Sequence, residues 1–277
     1  MFKRRGRFTK HNTPVNTASR HRQRDYPDAV YELFYASEDR HFWFRARNSI
    51  IESCIRRVRG KNVAGSTFLE VGCGTGYVLS MLERMGLRVT GLDMHGKALE
   101  FAKRRTKTTL VESRLETFTA AKPLDAIGAF DVIEHVIDEK AFLQTCQTLL
   151  SRQGFLYLTV PAGPELWTDI DRISGHKRRY TKSQLGALLE KNGFRVLDIR
   201  YFGFFLYVPY YIMKTVVGFL RRRKNLSVTE TMKILMKSPP TIINRMLSAG
   251  FWLEGLISNV VGLPIGTSLI VAAQKAV

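Results

Sequence analysis

Apolar positions recur at helical spacing from Tyr26 to Gly60, through Val30, Leu33, Phe34, Phe42, Phe44, Ile50, Ile51 and Ile55. Beyond residue 65 the pattern changes to short apolar runs alternating with amphipathic stretches. Residues 66–71 read as a buried strand, 77–85 as a helix and 88–92 as a second strand; 97–105 is helical with one charged side. A short apolar run at 126–130, a helix at 140–150 and a β-rich strand at 155–160 follow. Residues 181–191 open on Thr181, a good N-cap, and stop at Asn192-Gly193. Residues 194–201 and 267–273 supply two further strands. Alternation sustained over about 140 residues predicts an α/β fold: an open, mostly parallel sheet with helices on both faces.

Between the last two strands runs a stretch that this fold does not need. Tyr201 to Met213 is free of charge, Lys214 interrupts, and Arg221-Arg222-Arg223-Lys224 closes the first apolar block. Residues 249–264 form a second, carrying only Glu254. The first block falls short of the ~18 residues a span requires, and Pro209 breaks it further. The segment therefore reads as helices lying at a membrane interface, as walls of an apolar acceptor pocket, or as a packed lid, with a transmembrane hairpin as the lesser alternative. The chain divides accordingly into an arm (1–25), an N-terminal helical cap (26–60), a core (61–202 with 265–277) and an apolar insertion (203–264).

Composition narrows the class. The 277 residues are 45% hydrophobic, which excludes global disorder and low-complexity protein. Cys54, Cys73 and Cys146 have no paired or metal-ligand spacing, so a disulfide-stapled secreted scaffold is excluded, zinc is disfavoured and a reducing compartment is expected. The net charge is +19, and eight of the basic residues lie in 1–24 without a single acid. That segment reads as a disordered arm; it has no apolar h-region, and its apolar content is low for a transit peptide. The remaining excess still attracts polyanions, either nucleic acid or an anionic membrane face. A cytoplasmic protein, peripheral at the inner membrane face, is the resulting expectation.

The chemistry is concentrated at Glu70-Val71-Gly72-Cys73-Gly74-Thr75-Gly76. A strand ends, glycines follow at alternate positions and a helix begins, so backbone can approach a ligand at the carboxyl end of the sheet. Seventeen positions after Gly76 the next strand ends in Asp93, placed to accept from ribose hydroxyls. The spacing differs from the dinucleotide fingerprint G-x-G-x-x-G and favours a nucleoside without phosphates.

This segment resembles the first motif of class I S-adenosylmethionine-dependent methyltransferases, and Gly91-Leu92-Asp93 resembles their second. The run from Gly128 to Val136 (GAFDVIEHV) is similar to the fourth-strand motif of the branch containing the ubiquinone and menaquinone methyltransferases, and 149–161 to its fifth-strand region. Two blocks, HFWFRAR at 41–47 and GHKRRYT at 175–181, are similar to a bacterial subgroup found beside genes for glycan and lipid modification. The resemblance implies a Rossmann-like, seven-stranded, mostly parallel sheet and S-adenosylmethionine as cofactor. Glu70, Gly72 and Cys73 would face its methionine end, Gly74 and Gly76 would allow close approach, and Asp93 would take the ribose. Met94 would pack on the adenine, with Ser113, Arg114 and Leu115 standing where the family usually has an Asp. Phe130 and Asp131 would line the end of the fourth strand, while Phe44 closes over the cofactor and Arg47 pairs with its carboxylate.

His135, directly after a strand, and His176, in a polar loop, are the candidate bases, each also readable as an ordinary packed or solvated histidine. Arg178-Arg179-Tyr180, beside Trp167, reads as a clamp for an anionic acceptor such as a phosphate or carboxylate, or as a charged loop capping the following helix. No metal is expected; the alternative is a divalent ion on Asp131, Glu134 and His135, an acid–acid–His set that the related ubiquinone enzymes use. The function expected is methyl transfer to a hydrophobic small-molecule or lipid-linked acceptor, at oxygen. Alternatives are an RNA methyltransferase and a non-catalytic protein that binds nucleic acid or membrane on the same fold.

Overall fold

A computed structural model describes residues 27–60, 62–212, 214, 227–258 and 261–276. The arm and the basic cluster at 221–224 lie outside the described residues. The sheet has seven strands in the order β3-β2-β1-β4-β5-β7-β6. These are β1 (Thr67–Val71), β2 (Arg88–Asp93), β3 (Thr109–Glu112), β4 (Leu124–Phe130), β5 (Leu150–Pro161), β6 (Phe194–Phe202) and β7 (Ser268–Lys275). The first five pair in parallel, and β7 runs antiparallel between β5 and β6. Chain order reverses between β1 and β4, so the crevice beyond their carboxyl ends is where such a sheet takes a ligand.

Helices α1 (Asp28–Glu38) and α2 (Phe42–Arg59) form the cap; the expected continuous helical region is broken at 39–41, where His41 Nδ1 accepts from the Trp43 N–H. Helices α3 (Tyr77–Arg84), α4 (Gly96–Arg105), α5 (Glu139–Leu149) and α7 (Lys182–Lys191) flank the sheet. One apolar layer packs Leu69, Ile127, Leu143, Leu158, Leu185 and Val271 on one face; another packs Ile51, Ile55, Phe68, Leu82, Tyr157 and Ala272 on the other. Burial on both faces is why the central strands read as continuous apolar runs. α6 (Asp169–Ser174) was not expected from the sequence. Its start is a capping box in which Thr168 and Asp171 satisfy each other's backbone N–H groups.

In the insertion, residues 204–212 are helical (α8), followed by α9 (Val228–Met236) and α10 (Thr241–Ser258). Buried Glu254 on α10 accepts from the Gly203 and Phe204 N–H groups at 2.6 and 2.9 Å, capping α8. Asn244 does the same for α2: its Oδ1 accepts from the Phe42 N–H at 2.9 Å and its Nδ2 donates to the Arg40 carbonyl at 2.8 Å. Trp43 stacks on Phe202 and meets Phe251 edge-on. Cap and insertion are thereby joined over the crevice. Among the described residues no helix is long and apolar enough to cross a membrane, so the hairpin alternative has no support there.

Candidate active site

A cavity of about 650 Å³ opens beyond the carboxyl ends of β1, β2 and β4. The turn after β1 forms its floor. Gly72 has φ +69°, and a Cβ there would stand 2.6 Å from Val132 Cγ2, so only glycine lets the turn pass the end of β4. Gly74 (φ +54°) faces open space, whereas Gly76 packs on Ala102 of α4 and does not line the cavity. Gly76 is thus a packing position, because the helix that begins after it must lie close to α4. Cys73 lines the cavity while its thiol packs over Gly91 in the core.

Three carboxylates stand near this floor. Glu70 is 2% exposed and its Oε2 has no hydrogen-bond partner. Burial pushes its carboxyl well above the usual range, with Arg47 opposing and Asp93 and Glu38 reinforcing. Asp93, also raised by burial, accepts from the Gly74 N–H at 2.8 Å and the His95 N–H at 2.9 Å. It therefore locks the glycine turn to the end of β2 and keeps further acceptor capacity. Glu38 of α1 meets the Thr75 hydroxyl and Arg105, docking the cap onto the same turn.

Arg47 of α2 reaches across to β4. Its Nη2 lies 2.6 Å from Asp131 Oδ2 and 2.9 Å from the Phe130 carbonyl, while its buried Nε has no partner. Asp131 is the one non-glycine at positive φ (59°) among the described residues, a costly conformation for a side chain beside a ligand crevice. Phe44 meets Phe34 and His41 edge-on at the cavity wall. Met94, Ser113, Arg114 and Leu115 line the side beyond β2 and β3, with the Ser113 hydroxyl 3.0 Å from that of Thr117.

The opposite wall carries the histidines. His135 ends a 3-10 turn (Ile133–His135) after β4, and its ring meets that of His176 edge-on, with centroids 4.8 Å apart. Burial, with His176 adding, lowers the His135 pKa to about 4, so this ring stays neutral. Glu134 is fully buried, neither carboxyl oxygen has a partner, and burial followed by Asp131 raises its pKa well above normal. Glu134, His135 and His176 bring donor atoms within 4.8 Å of one another and are the described group that can grip a cation. This set differs from the expected Asp131, Glu134 and His135, because Asp131 turns instead to Arg47 and to the Thr159 hydroxyl.

Sequence reasoning missed Asp171, Tyr210 and the α9 methionines. Asp171 is fully buried and binds His176 and Arg179. The only local signal was Thr168-x-x-Asp171, a helix-start pattern. Tyr210 from α8 and Met232, Leu235 and Met236 from α9 complete an apolar roof. The anionic-acceptor clamp is corrected: Arg179 is engaged by Asp171, the Ala162 carbonyl and Tyr210, and Arg178 by Glu139 and the Val136 carbonyl.

A sheet of this order with its seventh strand reversed, a glycine turn after β1 and an acid closing β2 define a class I S-adenosylmethionine-dependent methyltransferase. The chain belongs to the family described as methyltransferase domain, which matches residues 35–199. It is 26% identical over 202 residues to the mitochondrial ubiquinone biosynthesis O-methyltransferase of Bos taurus, covering 61% of this chain and 52% of that protein. It is 32% identical over 108 residues to the ubiquinone biosynthesis O-methyltransferase of Vibrio cholerae, covering 36% and 44%. The chain thus spans about half the length of the curated relatives it matches. Magnesium protoporphyrin IX methyltransferase from Synechocystis, solved with bound SAH, shares the fold with a TM-score of 0.53 at 14% identity over 90% of this chain and 94% of that one. A SAM-dependent methyltransferase from Archaeoglobus fulgidus gives 0.51 at 18% identity, covering 82% and 94%.

Proposed function

We propose that the protein transfers the methyl group of S-adenosylmethionine to an oxygen of a hydrophobic small-molecule or lipid-linked acceptor. One observation carries this reading: a single cavity joins the Glu70–Asp93 floor to the histidines and to an apolar roof supplied by the insertion.

The residues present fit the cofactor. Glu70 is a buried carboxyl with an unpartnered oxygen, and Arg47 a buried guanidinium with an unpartnered Nε, which suit the amino and carboxylate groups of an amino acid. Gly74 leaves room where a side chain would intrude. Asp93 would take the ribose, Met94 and Leu115 the adenine faces, and Ser113 the adenine edge. When bound, the cofactor supplies an electrophilic methyl group. The chain contributes positioning, exclusion of water and a destination for the acceptor's proton. Phe44 and Phe130 exclude water, the α8–α9 roof orients the acceptor, and His176 with His135 stands where the proton must leave. Arg47, Arg178 and Arg179 are engaged internally, so these three do not form a clamp for an anionic acceptor.

The outer surface favours delivery from a membrane. Fifteen of the seventeen exposed large apolar side chains among the described residues lie between Phe204 and Ile265, including Val208, Ile242, Met246 and Trp252. Monomeric surfaces rarely concentrate apolar groups in this way. Residues 203–264 carry eight Lys or Arg and two acids, one of them the buried Glu254. An apolar face with a basic flank suits an anionic bilayer at which this insertion collects its acceptor.

Methyl-labelled S-adenosylmethionine, incubated with the protein and a series of alkyl phenols, alcohols and carboxylic acids, tests the reading. Label should enter the organic phase as an ether or ester, more rapidly as the alkyl chain lengthens. Label entering RNA instead would overturn it.

A further inference from the structure

His176 is held in a way that packing alone does not require. Its Nδ1 lies 2.8 Å from Asp171 Oδ1. That carboxylate is fully buried and heavily engaged. Oδ1 also accepts from Arg179 Nε at 2.8 Å; Oδ2 accepts from the Thr168 N–H at 2.7 Å, its hydroxyl at 3.0 Å and Arg179 Nη2 at 3.1 Å. Arg179 in turn donates to the Ala162 carbonyl at 3.0 Å and to the Tyr210 hydroxyl at 2.7 Å. The pair is thus anchored to α6, to the end of β5 and to α8 at once.

A carboxylate in this setting stays ionised. Its two oxygens face the Arg179 guanidinium at 2.8 and 3.1 Å and also accept from the Thr168 N–H and hydroxyl, a setting that suits the charged form. An ionised carboxylate only accepts hydrogen bonds, so the imidazole facing it carries a proton on Nδ1, and the tautomer this selects keeps its lone pair on Nε2. His176 lines the cavity, and Nε2 is the ring nitrogen that Asp171 leaves available. The titratable and charged groups around it are Asp171 from α6, Arg179 from the segment before α7, Glu134 and His135 from the turn after β4, and Tyr210 from α8.

We propose that Asp171 is a positioning residue that fixes His176 as its Nδ1-protonated tautomer, so that His176 Nε2 takes the acceptor's hydroxyl proton during methyl transfer. The inference rests on the oxygen-methyltransferase reading. As the acceptor oxygen bonds to the methyl carbon, the carbon–sulfur bond breaks and its electron pair stays on sulfur. The hydroxyl proton passes to Nε2, giving an imidazolium that Asp171 stabilises until the proton leaves to water. His135, half-buried with its ring edge-on to that of His176, serves as a wall beside this base.

Two probe acceptors separate a base from a structural histidine. At about pH 9 para-hexylphenol still reaches the site protonated, whereas its ortho-nitro derivative is ionised and needs no base. Asp171→Asn and His176→Gln should each lower kcat on para-hexylphenol by about 10²–10⁴-fold with little change in KM, and leave the nitro derivative nearly unaffected. Equal losses on both phenols, or rates on para-hexylphenol that equal wild type, would overturn the assignment. So would a loss of rate in EDTA that magnesium restores, since an ion would then be activating the hydroxyl. Independently of any acceptor, long-range nitrogen–proton correlations of ¹⁵N-histidine-labelled protein should show His176 protonated on Nδ1 in wild type; protonation on Nε2 would sink the proposal even if neither phenol reacts. Calorimetry with S-adenosylhomocysteine keeps the two readings apart: binding should be retained in both variants, and absence of binding in the wild type would refute the cofactor reading itself.

Discussion

Arg47 Nη2 lies 2.6 Å from Asp131 Oδ2, joining the second helix of the cap to the carboxyl end of the fourth strand. The contact closes one side of the cavity and is doubled by the hydrogen bond to the Phe130 carbonyl. It also leaves Arg47 Nε unpartnered beside the floor where Glu70 stands. Arg47→Ala should therefore weaken S-adenosylhomocysteine binding by about tenfold, the worth of one charge-assisted hydrogen bond. Asp131→Asn should act through the same contact, so the double variant should lose less than the two single losses multiplied. Titration calorimetry of the four proteins checks this; strict additivity would show the two residues to act separately.

The second strand makes a packing prediction. A Cβ at Gly91 would stand 2.6 Å from Leu79 Cδ1, 2.8 Å from Leu110 Cδ2 and 3.0 Å from Cys73 Sγ. Gly91→Ala should cost about 1–3 kcal/mol by overpacking, with Leu110→Ala recovering part of it in the double variant. Thermal unfolding of the three variants gives the answer, and an unchanged Tm in Gly91→Ala would contradict the packing described.

The legibility of the fold follows from the same local chemistry. β1, the glycine turn and Asp93 could be read because short apolar strands, alternating glycines and a strand-terminal acid each leave a mark within a few residues. Thr181 was legible as an N-cap because it needs only Gln184, three positions on, to complete its capping box. Asp171 could not be read as a histidine partner, since its contacts with His176 and Arg179 depend on α6 folding back beneath the loop that follows it. The clamp for an anionic acceptor weighed at Arg178 and Arg179 fails for the same reason. Their neutralising partners, Glu139 and Asp171, come from separate helices, and charge pairing across helices has no periodicity.

Partial burial of His135 sets a pH dependence. Its folded pKa is about 4 against an ordinary 6.5, so the unfolded chain binds the proton more tightly. The stability it contributes is fully present above pH 6.5 and is lost as pH falls towards 4, up to about 3 kcal/mol. Glu70 and Glu134 act in the opposite sense: their raised pKa values make the fold lose stability as pH rises through them. The comparison of wild type with His135→Gln isolates the first effect. The stability gap between them should narrow, or reverse in favour of the variant, as pH is lowered from 7 towards 4, and a gap independent of pH would show that the ring is not buried in its neutral form.

Trp252 is 68% exposed on α10 and reports on the insertion's outer face. Its fluorescence should shift to the blue and be quenched by brominated acyl chains when anionic vesicles are added, with little effect from neutral ones. Trp252→Phe should remove most of that signal. Self-association of the free protein without vesicle binding would assign the face to a second copy of the chain instead.

The most direct test of the whole account is calorimetric titration of the folded protein with S-adenosylmethionine and, separately, S-adenosylhomocysteine. The site built on Glu70, Gly74 and Asp93 predicts saturable one-to-one binding of both, abolished in Gly74→Arg and strongly weakened in Asp93→Ala. A folded wild-type protein that binds neither, or an Asp93→Ala variant that binds as well as wild type, would contradict it.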